Sequence, residues 1–175
     1  KIPPTPVPRF PNKRFLVADD NPVNLKLITT LLTETGAEVI EATNGEEASA
    51  LARDADFDLI LMDVHMPVMD GLQAIRHIMI ESPVPIVVLS SLFSDGSITF
   101  EALRLGVVDF VAKPSGAISS DIHVAKQQIV GRIKLATAVN FQNIRRVRVE
   151  PQPQQAGEKE NTSFSSMLVI GTSLT

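Results

Sequence analysis

The chain of 175 residues contains no cysteine, tryptophan or tyrosine. Without cysteine it can form neither a disulfide nor a thiolate metal site, which is typical of proteins in a reducing cytoplasm. No stretch approaches the roughly 18 uninterrupted apolar residues of a membrane span. No charged and then apolar signal peptide opens the chain. These absences predict a cytoplasmic protein that has no part in a membrane.

Positive charge is also scarce. There are 16 Lys and Arg against 20 Asp and Glu, and the formal net charge is −4 at pH 7. A nucleic-acid surface needs a basic patch or stripe, and the brief cluster Arg145, Arg146 and Arg148 reads as a solvated linker face. We therefore expect no nucleic-acid partner. With 44% hydrophobic residues, the chain is long enough for one buried domain plus tails and too short for two full domains.

The stretch from Asp58 to Gly71 organises the rest of the chain. Residues Leu59–Met62 are apolar without alternation, the pattern of a strand covered on both faces by helices, and the run ends at Asp63. Asp63 is therefore predicted at the carboxyl end of a buried parallel strand, where ligand crevices form. Taken alone, this aspartate would sooner be interpreted as a residue that opens a turn.

Three more predicted strands end in polar side chains. These are Asp19 and Asp20 after Phe15–Ala18, Ser90 after Pro85–Leu89, and Lys113 after Val107–Ala112. Two carboxylates about 4 Å apart repel by roughly 4 kcal/mol at an effective dielectric near 20, so an acidic cluster needs a cation or a proton. Mg²⁺ binds carboxylates and phosphate oxygens together. A hydroxyl and an ammonium at the same edge would hold the oxygens of a phosphoryl group on Asp63.

These residues resemble the receiver domain of two-component response regulators, over about residues 13–139. The resemblance is carried by the acidic pair, by Asp63 with the following Met66-Pro67-x-x-Asp70-Gly71, by Ser90, and by Lys113-Pro114. It implies an α/β fold of the flavodoxin-like (βα)5 type, a three-layer sandwich with a parallel sheet in the order 2-1-3-4-5. The function that it implies is that of a phosphoacceptor switch.

The resemblance also implies a role for each site residue. Asp63 would accept the phosphoryl group. Asp20 would bind Mg²⁺ directly, Asp19 through water, and His65 through its backbone carbonyl alone. Lys113 and Ser90 would hold the transferred group.

The switch and the partners are likewise implied by the resemblance. Movement of Ser90 would be coupled to Phe110, which lacks the hydroxyl of a tyrosine. The phosphoryl donor would be a histidine kinase or a histidine phosphotransfer domain. A receiver homodimer through helix 4, strand 5 and helix 5 is a further expectation.

The two halves of the chain resemble different branches of this family. From Pro83 onward, the phrases Leu89–Leu92 and Leu105–Phe110 are similar to the receiver of the chemotaxis protein-glutamate methylesterase. The first half, with Ala18–Asn24 and Leu61–Pro67, is similar to receivers attached to hybrid sensor kinases. Chemotaxis is therefore an expected setting.

Composition predicts tails on both sides of the domain. Residues 1–12 carry five of the twelve prolines and are expected to form an extended linker. Residues 140–166 have flexible-linker composition. Residues 167–175 resemble a truncated start of the methylesterase catalytic domain. Because no downstream histidine and acid could activate Ser173, we expect no esterase activity and a chain that is not itself an enzyme.

Two other functional classes remain open from the residues alone. An aspartyl-phosphate phosphohydrolase of the haloacid-dehalogenase type would also use Asp63 as a nucleophile, but its motif has a second aspartate two residues later, where this chain has His65. A flavodoxin-like module that binds a ligand non-covalently would share the sheet and would need no acidic cluster.

Local signals predict several helix ends. Asn21 and Pro22 suit the start of the first helix, which ends before Gly36. Thr43 with Glu46 reads as a capping box for a second helix that runs to about residue 53. The third helix is predicted over about residues 72–80, with His77 as a surface or packing residue, and the last over about residues 121–138.

Overall fold

A computed structural model describes residues 8–90, 96–113 and 122–139, with the side chains of residues 122–125 left out of the description. Strands and helices alternate along these ranges. The elements are β1 (Arg14–Ala18), α1 (Pro22–Thr33), β2 (Glu38–Ala42), α2 (Gly45–Asp54), β3 (Leu59–Asp63), α3 (Gly71–Glu81), β4 (Ile86–Ser90), α4 (Gly96–Leu105), β5 (Asp109–Ala112) and α5 (Ile122–Thr137).

The five strands form one parallel sheet in the order β2-β1-β3-β4-β5. This confirms the predicted α/β, flavodoxin-like fold and strand order. The register pairs Ala18 with Met62, Asp63 with Leu89, and Ser90 with Ala112. Because the strands are parallel and nearly level, their carboxyl ends meet along one edge of the sheet.

Every residue of β3 is buried, as the unbroken apolar run predicts. Its side chains alternate between two core clusters: Leu59 and Leu61 pack with residues of α1 and α5, while Ile60 and Met62 pack with residues of α2, α3 and α4. This alternation is the two-residue period of a strand. The molecule is therefore a three-layer sandwich around a central sheet.

Helix capping agrees with the sequence for α1 and differs for α2. The Asn21 side chain caps α1 by accepting from the amides of Val23 and Asn24. The prediction that Thr43 caps α2 is wrong, because the Asn44 side chain takes that place and accepts from the amide of Glu47. The Glu47 carboxylate accepts in return from the backbone N–H of Thr43 at 2.8 Å. The capping interactions thus lie one residue later than predicted.

The remaining element ends shift by one or two residues. Asp70 caps α3 through the amide of Gln73, so the helix begins at Gly71 rather than at residue 72. Strand β5 begins at Asp109 rather than Val107, since the chain still turns at Gly106, whose φ is +95°. His77 is exposed on α3, as predicted.

The N-terminal segment contributes a residue to the core. Phe10 is buried, its ring lies edge-on to Phe15 at 5.4 Å, and its N–H donates to the carbonyl of Thr35. The predicted linker over residues 1–12 therefore contains at least one residue that packs with the folded domain.

Other predictions concern parts of the chain about which the structure gives no description. The linker over residues 140–166, the domain start over residues 167–175, Pro114 and residue 121 all lie outside the described residues. Within the described ranges, no helix combines the length and apolarity needed to cross a bilayer.

Candidate functional site

Asp63 ends β3 and is 1% exposed. The turn that follows is fixed against α3, because the N–H of Gly71 donates to the carbonyl of Val64 at 2.9 Å. A Cβ at position 71 would lie only 2.0 Å from the carbonyl oxygen of Asp63. Glycine is therefore required where the first turn of α3 crosses the end of β3, and this crossing sets the position of the Asp63 backbone.

Two more carboxylates stand beside Asp63 at the same edge. Asp19 is fully buried, and its Oδ1 accepts from the N–H of Asn21 at 2.9 Å. Asp20 is exposed to solvent. One carboxylate oxygen from each of Asp19, Asp20 and Asp63 lies within 4.8 Å of the others. The sequence prediction that these acids converge is thus confirmed by their geometry.

Lys113 follows β5 and reaches into this acidic cluster. Its Nζ lies 2.6 Å from Asp63 Oδ2 and 3.1 Å from Asp19 Oδ2. Its backbone N–H donates to the carbonyl of Ser90 at 2.8 Å, which joins the ends of β4 and β5. The Lys113 ammonium therefore bridges the acids that follow β1 and end β3, although its backbone lies at the end of β5, two strands away from β3.

The pKa values of the ion pair record a balance between burial and charge. Burial raises the pKa of Asp63 above its ordinary value, and the Lys113 ammonium and the N–H of His65 offset this only in part. Burial alone would lower the pKa of Lys113, but its hydrogen bond to Asp63 and the nearby charges of Asp63 and Asp19 outweigh burial and hold that pKa above the usual value. Lys113 is therefore a firmly charged group beside a carboxylate that is costly to ionise.

One buried oxygen at this site is poorly satisfied. Although Asp19 Oδ2 lies 3.1 Å from the Lys113 ammonium, it accepts no hydrogen bond of acceptable alignment from the described part of the chain. A buried carboxylate oxygen without such a bond is expensive. The donor set is all oxygen, with one exposed and two buried carboxylates, which fits a hard divalent cation such as Mg²⁺.

His65 lies two residues after Asp63, in the turn that follows β3. The side chain is exposed and is not among the groups that converge on the acidic cluster. Its backbone N–H donates to Asp63 Oδ1 at 3.2 Å. The role of its carbonyl as a ligand stays a prediction.

Ser90 and Phe110 lie on the two strands beyond Asp63. Ser90 is the last residue of β4, partly exposed and paired with Ala112. Phe110 pairs with Val88 and is partly buried against the core cluster that includes α4. Their positions fit the predicted coupling between the edge of the sheet and its α4 side, and the coupling itself stays a prediction.

Gly45 is a supporting residue that the sequence analysis missed. Its N–H donates to the carbonyl of Met69, and a Cβ there would lie 2.5 Å from the same oxygen. It therefore fixes the loop between Asp63 and α3 from the side of α2. In the sequence, Asn44 and Gly45 indicate only a helix cap and a turn. Nothing there predicts that Gly45 contacts Met69, which lies 24 residues later.

The comparisons with known proteins agree with this geometry. The family model of the response regulator receiver domain matches residues 15–122. Protein-glutamate methylesterase/protein-glutamine glutaminase 2 of Carboxydothermus hydrogenoformans is 40% identical over 169 residues, which are 91% of this chain and 48% of that protein. The equivalent protein of Archaeoglobus fulgidus is 40% identical over 144 residues, 78% of this chain and 41% of its own length. This chain thus spans about half the length of these curated relatives.

Solved structures show the same fold. The response regulator domain of Thermotoga maritima CheB superposes with a TM-score of 0.65 at 34% identity, over 73% of this chain and 98% of that one. The receiver domain of a Pseudomonas aeruginosa sensor histidine kinase, described with a magnesium ion in its active-site cleft, has a TM-score of 0.54 at 31% identity, over 68% and 98% of the two chains. The solved structures similar to this chain thus include a methylesterase receiver and a sensor-kinase receiver, the two branches that the sequence resembles.

Proposed function

This chain belongs to the response regulator receiver family, and on that premise we propose that Asp63 is the residue that accepts its phosphoryl group. The observation that carries the assignment is the contact between the Lys113 ammonium and Asp63 Oδ2, at 2.6 Å, inside a cluster of three carboxylates. Asp63 is the last residue of the fully buried strand at the centre of the sheet. The phosphohydrolase and the non-covalent binding module are not favoured.

In the proposed reaction, a phosphohistidine of a donor protein approaches the carboxyl edge of the sheet. A carboxylate oxygen of Asp63 attacks the phosphorus as the bond from phosphorus to the donor's ring nitrogen breaks, and the electron pair of that bond returns to the nitrogen. The product is an aspartyl phosphate. Burial of Asp63 keeps bulk water away from the acyl phosphate that forms.

Lys113 and Ser90 are proposed to hold the transferred group. The Lys113 ammonium already lies between the oxygens of Asp63 and Asp19, so it can shift onto a phosphoryl oxygen without leaving the site. Ser90 ends the neighbouring strand and supplies a hydroxyl donor. Charge-assisted bonds from such fixed donors stabilise the negative charge on the transferring group.

Asp19, Asp20 and Asp63, with the backbone carbonyl of His65, are the groups proposed to hold magnesium. A bound Mg²⁺ would supply positive charge beside the phosphoryl oxygens. Asp20 is assigned the direct bond because it is exposed, whereas Asp19 is engaged by Asn21 and Lys113 and is assigned a contact through water. The poorly satisfied Asp19 Oδ2 supports a cation or its water at this place.

Phosphorylation is proposed to act through the α4, β5 and α5 side of the molecule. Ser90 would follow the phosphoryl group, and Phe110, which packs against the α4 cluster, would change its packing with it. The donor is proposed to be a histidine kinase or histidine phosphotransfer domain in the cytoplasm, and the same side of the molecule is offered as a homodimer surface. Residues 140–166 would link the receiver to an output unit beginning near residue 167.

The test is intact-mass spectrometry of the chain after incubation with Mg²⁺ and a small phosphodonor. We expect the mass to increase by one phosphoryl group and the increase to disappear in Asp63→Asn. Asp58→Asn is the matched control, because Asp58 is a partly buried aspartate at the opposite end of the same strand. Stable phosphorylation of Asp63→Asn would overturn the assignment.

The metal roles have a test of their own. In a Mg²⁺ titration followed by NMR, Asp20→Ala should weaken binding more than Asp19→Ala, because only Asp20 is assigned a direct bond. Equal losses would mean that the two roles are misassigned, and unchanged binding in both variants would remove the proposed magnesium site.

A further inference from the structure

Helices α3 and α4 are anchored to the sheet very differently. Helix α3 buries Gly71, Ala74, Ile75 and Ile78, and its first turn is held against the end of β3 by Gly71. Helix α4 fully buries only Ala102 and packs Ile98 and Leu105 in part against the core, while Phe100 and Leu103 remain 65% and 53% exposed. Fewer fully buried residues therefore fix α4 than α3, and a polar contact can weigh more in the placement of α4 than in that of α3.

Such a contact joins the two helices. Arg76 Nη2 of α3 donates to Glu101 Oε1 of α4 at 2.8 Å, and the two side chains are 58% and 45% exposed. Helix α3 follows the turn after Asp63, and α4 follows Ser90 by six residues. The ion pair therefore links the helix attached to the proposed phosphoacceptor with the helix attached to the proposed switch serine.

We propose that the Arg76–Glu101 ion pair restrains α4 in its resting position and thereby lowers the affinity of the site for a phosphoryl group. The inference rests on the proposed function, because it requires that phosphorylation shifts α4. A bond that exists in one state and is lost in the other moves the equilibrium by its own free energy. For an exposed ion pair this corresponds to about a two- to fivefold change in affinity.

The chain offers a matched control for this ion pair. Arg53 of α2 donates to Glu81 of α3 at 2.9 Å, with side chains that are 57% and 42% exposed. The two ion pairs thus have nearly the same length and exposure and lie on the same side of the sheet. Only one of them involves α4, so Arg53→Gln controls for lost charge and for lost stability.

The experiment measures beryllofluoride binding, in the presence of Mg²⁺, by NMR titration of the full chain. NMR is suitable because the chain has no tryptophan for a fluorescence titration. We expect Arg76→Gln and Glu101→Gln each to bind this phosphoryl mimic about two- to fivefold more tightly than wild type, and Arg53→Gln to bind it as wild type does. The two substitutions change the net charge in opposite directions. If both tighten the binding of beryllofluoride, the cause is loss of the ion pair and not the electrostatic potential of the whole protein.

A charge exchange completes the test. The double variant Arg76→Glu with Glu101→Arg restores an ion pair and should return the affinity to the wild-type value. If the single variants acted only by disturbing the fold, a second substitution would not restore the affinity. Equal effects of Arg76→Gln and Arg53→Gln, or no tightening by Arg76→Gln, would overturn the inference. If the wild-type chain bound no beryllofluoride at all, the proposed function would fail first and the inference with it.

Discussion

At the scale of single residues, the site is held together by one lysine between two buried carboxylates. Lys113 and Asp63 form the shortest contact in the acidic cluster, and Asp19 completes the group. Breaking a buried pair costs far more than its net contribution, because the remaining charges stay buried without a partner. The same arrangement makes the cluster sensitive to any cation that can replace the ammonium.

Lys113→Met should therefore lower the stability of the metal-free protein by about 3–5 kcal/mol. The variant keeps most of the apolar stem but leaves Asp63 and Asp19 without their ammonium, and added Mg²⁺ should recover part of the loss. Thermal melting with Mg²⁺ and with a chelator measures both effects. Lys126→Met is the control, since Lys126 is equally exposed, at 20% against 19%, but pairs with the exposed Glu34. If the two variants lost the same stability, the buried cluster would have no special role.

Asp58 provides a pH-dependent test away from the metal site. Burial acts to raise the pKa of Asp58, but bonds from the Lys13 ammonium and the Arg14 N–H, both at 2.8 Å, outweigh it and hold the pKa below the ordinary value of 3.8. A depressed pKa in the folded protein contributes stability above the unfolded pKa, and this contribution is lost as the pH falls through the folded pKa.

We expect Asp58→Asn to cost about 1 kcal/mol at neutral pH, since Lys13 and Asp58 are both partly exposed. The cost should shrink below pH 3.8, where the unfolded wild-type chain is already protonated. Urea unfolding of the variant and of the exposed Asp56→Asn control, across pH 3 to pH 7, measures this. A cost that stayed constant over the whole range would contradict the ion-pair origin.

At the scale of elements, the contact between β3 and α3 depends on the absence of a side chain. A Cβ at position 71 would lie 2.0 Å from a backbone oxygen, which no rotamer change can relieve. We predict that Gly71→Ala lowers stability by about 1–3 kcal/mol or more, because the helix has to move away from the end of β3.

Gly131 in α5 is the matched control, because no described atom lies within 4 Å of the place that a Cβ would take there. Gly131→Ala should instead stabilise the protein by about 0.5–1 kcal/mol. Chemical unfolding of both variants gives the two signs. Destabilisation by both would mean that the contact at position 71 is not the cause.

The N-terminal segment is the second element with a specific prediction. Phe10 is 6% exposed and packs on Phe15, whereas Phe100 on α4 is 65% exposed. Phe10→Ala should therefore cost about 3–5 kcal/mol, and Phe100→Ala should stay within about 0.5 kcal/mol. Unfolding free energies of the two variants test whether the chain before β1 is part of the domain. Similar values would place Phe10 outside the core.

Most of the strands and the edge that they share were predictable from local signals, whereas the strand order was predicted from the resemblance to receiver domains. The unbroken apolar run before Asp63 identifies a doubly covered strand, and four strands that end in polar residues point to one edge. Contacts between residues distant in sequence had no comparable signal. The cap at Asn44 competes with an equally suitable Thr43 next to it, Phe10 lies among prolines typical of a linker, and Gly45 gives no hint of its contact with Met69.

At the scale of the whole molecule, one geometric fact connects fold and function. A parallel sheet in the order β2-β1-β3-β4-β5 brings the residues after β1, β3, β4 and β5 to a single edge, with Asp63 at its centre. The two helices that follow this edge differ in how they are held. Helix α3 is fixed next to Asp63 and buries four residues, whereas α4 follows Ser90 and fully buries only one. A charge change at one edge can thereby alter the surface on the α4 side.

The most direct test of the central claim is to locate the phosphoryl group itself. The chain would be phosphorylated with a small phosphodonor and Mg²⁺, reduced with borohydride, which converts an aspartyl phosphate to homoserine, and digested for peptide sequencing by mass spectrometry. We predict homoserine at position 63 and unchanged aspartate at positions 19 and 20. Homoserine at position 19 or 20, or phosphate retained on Ser90, would contradict the assignment of Asp63 as the phosphoacceptor.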